Sequence, residues 1–171
     1  MELKPYLKTI YEYNFWANHR CFAVAEGLTG EQLHRMQGHS WGDVHAVFVH
    51  LVSSEWIWLQ RWHGVSPKAH LDTAEFPTLA SIKERWDKQE AELKAFIESQ
   101  SEDSFQSVIA YSNLGGQLFR VPLWQMLAHL ANHETHHRGE LAAMFALMNV
   151  PHPEDEVIQY FLDQSGQKKF S

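Results

Sequence analysis

The sequence predicts an all-α four-helix bundle, with a crossover between its second and third helices and a small β-hairpin between its third and fourth. Three observations predict it. Four long segments place apolar residues at steps of three and four. Only one short stretch carries β-favouring runs, set around an Asn-Leu-Gly-Gly turn. The chain has 171 residues, 44% hydrophobic and 20% charged, which suits a single domain, 1–171, with a hydrophobic core of its own. No internal repeat or linker divides it.

The first helix is expected from Leu3 to Leu28, where Leu7, Ile10, Ala17, Cys21, Val24 and Leu28 keep helical steps if Asn14 is counted among them. One polar residue therefore sits on a buried stripe. Ser40, followed three residues later by Asp43, reads as an N-cap opening a second helix that runs to Trp62, with Val44, Val47, Phe48, Leu51, Trp58 and Leu59 on its apolar face. The aperiodic stretch from His63 to Phe76 is a long connection, able to cross the bundle at about 3.3 Å per residue. Pro77 and Thr78 start the third helix, which buries Leu79, Ile82, Trp86, Leu93 and Phe96. Ser107–Tyr111 and Leu118–Val121 form the hairpin around Asn113-Leu114-Gly115-Gly116. Pro122 is placed as the first residue of a fourth helix reaching Met148, and Glu154 to Leu162 adds a short terminal one. Helices of about 20 to 25 residues would be roughly 30 to 37 Å long.

Composition removes several classes of function. With 14 Lys and Arg against 21 Asp and Glu, the net charge is −7, and no basic block is present, so nucleic acid is not an expected partner. No apolar run approaches the roughly 18 residues of a membrane span. The start of the chain has no signal-peptide pattern, and the single Cys21 cannot form an internal disulfide. A cytoplasmic protein acting on a small molecule is the expectation.

The outlying number is 12 His. With His133 at 0° and about 100° per residue, Met126, Leu130, Leu141, Met144 and Met148 fall between about 20° and 80°, and His137 at about 40°. His129 and His136 fall at about −40° and −60°, on the polar flank. His133 and His137 are about 6 Å apart along one inward face and can converge on one ion. A third ligand must come from another helix. His50, mid-helix after Val47, is the candidate, and His45 points elsewhere, as an exposed or capping residue. Three neutral imidazoles with an open coordination position are the pattern of a reactive metal site, where bound water becomes acidic. The competing reading is a set of buried rings hydrogen-bonded to carboxylates or water.

Tyr13-Asn14-Phe15-Trp16-Ala17-Asn18, Val49-His50-Leu51 and Asn132-His133-Glu134-Thr135-His136-His137-Arg138-Gly139 resemble the DinB family of DinB/YfiT-like metalloenzymes, in order and spacing over essentially the whole chain. The resemblance implies a four-helix bundle, a homodimer, and a divalent metal, zinc or nickel, held by His50, His133 and His137. It further implies thiol-dependent S-transfer with a low-molecular-weight thiol cosubstrate, although many members have no assigned reaction. A metal-bound thiol is deprotonated outright, which suits such chemistry.

His133-Glu134-x-x-His137 also fits the zinc-protease pattern, with Glu134 as base and Glu154 or Glu156 as a third ligand. A bundle offers no sheet edge for a peptide, which weighs against it. A carboxylate di-metal site needs further inward Glu that are not evident. Glu134 is the candidate catalytic base or a residue supporting the ligands, its alternative being a solvated or salt-bridged residue. Asn14, Asn18 and Trp16 are candidates for a substrate pocket, with Trp56, Trp58 and Trp62 as further aromatic lining; a buried amide network is the other reading of Asn14. Gly139 mid-helix suggests close approach of a neighbouring helix or simple tolerance. A non-enzymatic metal-binding or stress-associated protein is the alternative function.

Overall fold

His45 meets the Phe76 carbonyl, Glu55 meets the Trp86 indole and Trp62 stacks on Phe96, so two long helices run in the same direction with their starts, middles and ends matched. The structure, a computed structural model, describes residues 2–38 and 40–166. The helices are α1 (Leu3–Glu26), α2 (Gly30–Leu33), α3 (Val44–Trp62), α4 (Leu79–Ser99), α5 (Glu102–Gln106), α6 (Leu123–Leu147) and α7 (Val157–Gln164). Strands β1 (Val108–Ser112) and β2 (Leu118–Pro122) pair antiparallel, Val108 opposite Pro122 and Ser112 opposite Leu118. Parallel α3 and α4 require the intervening connection to travel the length of the bundle. It does so along α3, with Leu71 N donating to Ser53 Oγ on the way. The expected crossover is therefore present.

α1 is antiparallel to α4, with Lys8 on Glu98 at one end and Phe22 against Trp86 at the other. It is parallel to α6, with Tyr11 donating to the Leu127 carbonyl and Asn18 to Glu134. The apolar core falls into two large blocks, with a small third cluster of Tyr13, Ala17 and Tyr160 beside them. Phe22, Val47, Phe48, Ile82, Trp86 and Phe145 fill one end, and Leu7, Phe15, Leu59, Leu93, Leu127 and Leu130 the other. Between them lies a belt of buried polar residues from all four long helices: Asn14, Asn18, His50, Glu55, Gln89, Glu134, His137 and Arg138.

Local chemistry explains where the boundaries differ from expectation. Asp43, not Ser40, caps α3: its Oδ1 accepts from Ala46 N at 2.7 Å, and the helix begins at Val44. Ser40 sits one turn earlier at φ 52°. Pro122 closes β2 and stands just before α6, because its fixed φ and missing N–H suit the entry to a helix. α2 and α5 were not expected. Each is about one turn, held by Thr29 and Ser101 caps, and too short to show a period. No helix among the described residues is long and apolar enough to cross a membrane.

Candidate metal centre

α6 brings His133 and His137 to one face a turn apart, and antiparallel α3 lays His50 across them. The three Nε2 atoms form a triangle: 3.3 Å from His50 to His133, 3.0 Å from His50 to His137 and 3.2 Å from His133 to His137. His50 and His137 are each only 7% exposed. Nitrogen ligands about 2.0 to 2.1 Å from one tetrahedral ion are about 3.3 to 3.4 Å apart. The triangle fits that demand closely.

One of the remaining ring nitrogens strengthens the fit. Glu140 accepts from His137 Nδ1–H at 2.6 Å, which leaves the His137 Nε2 lone pair facing its neighbours. His50 Nδ1 and His133 Nδ1 are sealed from solvent without a partner. Three rings sharing one small space cannot satisfy their nitrogens among themselves, whereas a cation accepts all three lone pairs. Burial, then the neighbouring imidazoles, pulls the His50 pKa down to about 2 and that of His133 to about 4. Both rings are neutral donors near pH 7, as metal ligands must be. Burial works against ionisation of Glu140, but hydrogen bonds from Ser40 and His137 hold it below the usual carboxylate range.

Other side chains surround the triangle. Trp41 stacks on His50 with ring centroids 4.1 Å apart. His70, from the crossover, lies 5.0 Å from the His50 ring, and His129 lies 6.0 Å from that of His133. Trp58 meets His129 edge-on. Sequence reasoning did not find Trp41, Ser40 or His70 as neighbours of the site, because they stand in irregular segments with no period. Glu140 was legible in principle, three residues after His137 and thus on a neighbouring stripe.

Glu134 faces elsewhere. It is fully buried, accepts from Asn18 Nδ2 at 2.9 Å, and leaves Oε1 sealed and unpartnered. A solvated Glu134 is thereby corrected. Burial raises its carboxyl to about 7 against the pull of Arg138 and Asn18. Glu55 is pushed well above the ordinary carboxylate value, first by burial and then by the charge of Glu134.

Arg138 occupies the centre of this second network. Nη1 donates to Asn14 Oδ1 and Asn18 Oδ1 at 2.7 and 2.8 Å, Nη2 to Tyr13 and Thr135, and Nε to Asp155. Asn14 and Asn18 are thus engaged in joining α1 to α6, the amide-network reading. Trp16 packs on Tyr160 of α7 and under Arg20. Of the other tryptophans expected as lining, Trp62 belongs to the core against Phe96, and Trp58 meets His129 beside the triangle.

Two further expectations are corrected. His45 is buried, its Nε2 2.7 Å from the Phe76 carbonyl, because the crossover ends over the start of α3. Gly139 is exposed, and a Cβ there would meet nothing within 4 Å, so tolerance and not helix contact explains it.

Residues 1–165 match the family model described as "DinB family". The chain belongs to the DinB family. It is also similar to Protein DinB of Bacillus subtilis (strain 168), 24% identical over 145 residues, which is 79% of this chain and 81% of that one. For a DinB family member, the histidine triangle between α3 and α6 is a group that could hold a metal ion.

Proposed function

We propose that this DinB family chain is a metal-dependent enzyme that joins a low-molecular-weight thiol to a small electrophile, with zinc or nickel held by His50, His133 and His137. The observation that carries the reading is the triangle of Nε2 atoms 3.0 to 3.3 Å apart. When bound, a divalent cation with three neutral nitrogen ligands supplies Lewis acidity that makes a thiol or water nucleophilic near pH 7. Glu140 holds the His137 proton on Nδ1 and so orients the ring. Trp41 covers one face of His50 and keeps water from it. Glu134, held by Asn18 beside the Arg138 network, positions α6 against α1.

Cys21 is not the thiol: burial, with Asp155 nearby, pushes it up to about 12. The reacting thiol must therefore be a second small molecule. The test uses untagged protein loaded with zinc or nickel, a panel of small thiols and a chromogenic electrophile. Turnover that requires the metal and is lost in His137→Ala supports the reading. No turnover with any thiol, with the metal verified in place, points instead to a non-enzymatic metal-binding protein.

A further inference from the structure

Two arginines are buried in this bundle, and they differ in one respect. Arg138, 1% exposed, has partners at every nitrogen. Arg61 on α3, 6% exposed, has no ion pair or side-chain hydrogen bond among the described residues, and its Nε is sealed without a partner. A charge taken out of water and left unpaired is among the costliest arrangements a fold can carry. Its terminal nitrogens are not sealed.

What holds Arg61 is aromatic. Its guanidinium carbon lies 4.6 Å from the ring centroid of Trp58 and 4.8 Å from that of Tyr111 on β1. Rings attract the cation through their faces without neutralising it, and they leave the N–H edge of the fork free. Arg61 is eleven residues after His50, about 20° away around α3 and about 16 Å along it. Side chains on a helix lean toward its N-terminus, so the guanidinium leans back toward the histidines. Trp58 and His129 then link it to His133. The imidazoles of His70 and His129, lowered mainly by burial, are lowered further by the Arg61 charge, which places that charge between the crossover and α6.

We propose that Arg61 is the binding point for an oxyanion, a carboxylate or phosphate, carried by the small molecule that reacts at the three-histidine cluster. The proposal rests on the metal-site reading only for the second half of that statement. A planar guanidinium with its edge free pairs two N–H groups with two oxygens at once. The site would be a positive point inside a protein of net charge −7.

The test titrates benzoate, phenyl phosphate and neutral benzamide into the full chain, zinc-loaded and metal-free, by ligand-observed NMR, with Arg61→Met and Arg61→Lys beside the wild type. In wild type at least one anion binds about tenfold or more tighter than benzamide, as charged hydrogen bonds imply. Arg61→Met removes that preference in both forms, and Arg61→Lys, a point charge without the fork, keeps part of it. Arg61→Met gives up the two ring contacts but relieves an unpaired buried charge, so it melts within a few degrees of wild type, whereas an arginine kept for structure would lower the melting temperature strongly. Absence of an anion preference in wild type, or a preference that survives Arg61→Met, overturns the proposal. An Arg61-dependent preference in protein that takes up no zinc upholds the oxyanion site and removes the metal reading alone.

Discussion

His50 Nε2 lies 3.0 Å from His137 Nε2 although 87 positions separate them in the chain. The contact exists because α3 runs antiparallel to α6 with the two residues at matching heights, and because both side chains face the polar belt between the apolar blocks.

Replacing His137 with Ala abolishes tight zinc or nickel binding, and replacing His129 does not. His129 keeps part of its surface in solvent and meets the triangle only through a tilted ring contact 6.0 Å from His133. Calorimetric titration of untagged protein checks this, and equal losses in the two variants would contradict the facing argument.

Glu140→Gln weakens metal affinity about 10- to 100-fold, the usual effect of removing the carboxylate behind a histidine ligand. The fold should be unaffected, since Gln keeps the side chain's size in this half-buried place and can still hydrogen-bond its neighbours. Competition with a chromophoric chelator gives the affinity, and circular dichroism the control.

Trp41→Ala exposes the His50 ring that it stacks on. Affinity should change by no more than severalfold, since no ligand is lost, while the rate at which a chelator strips the metal rises. An unchanged rate would mean that Trp41 shields nothing.

Arg138→Met breaks the network between α1, α6 and the segment before α7. It leaves the side-chain oxygens of Asn14 and Asn18 buried without their donor, and costs about 3 to 5 kcal/mol. Urea denaturation measures it. A cost under about 1 kcal/mol would show that the belt is held by something else.

Glu134→Gln gives a pH signature. Burial raises the Glu134 carboxyl to about 7 in the fold, above its unfolded value, so the folded state holds the proton more strongly. The stability this provides is complete below about pH 4.5 and is lost as pH rises through 7. The variant, which cannot ionise, should therefore gain on wild type between pH 4.5 and 7, by on the order of 1 kcal/mol per pH unit. Parallel stability curves across that window would contradict the raised value.

How much of this was legible in the sequence depends on periodicity. The four long helices, the hairpin and the inward direction of His133 and His137 follow from spacing alone. The crossover agrees with what the long connection implied, whereas the division of the core into blocks was not legible from the apolar stripes. Residues whose role depends on contacts across the bundle were not readable. His45 is buried because the crossover returns over it, and Asp43 takes the cap because α3 begins at Val44, a turn after Ser40. Asn14 and Asn18 carry no mark in sequence that their partner is Arg138. Trp41 and Arg61 were passed over for different reasons: one sits in a loop, and the other looks like any arginine near the end of an amphipathic helix.

The most direct test of the metal centre is anomalous diffraction at the zinc edge from crystals of untagged, zinc-loaded protein. The account predicts a single strong peak between α3 and α6, about 2.0 to 2.1 Å from the Nε2 atoms of His50, His133 and His137. A peak on other residues, or an empty triangle in crystals whose solution protein was saturated with zinc, would contradict it.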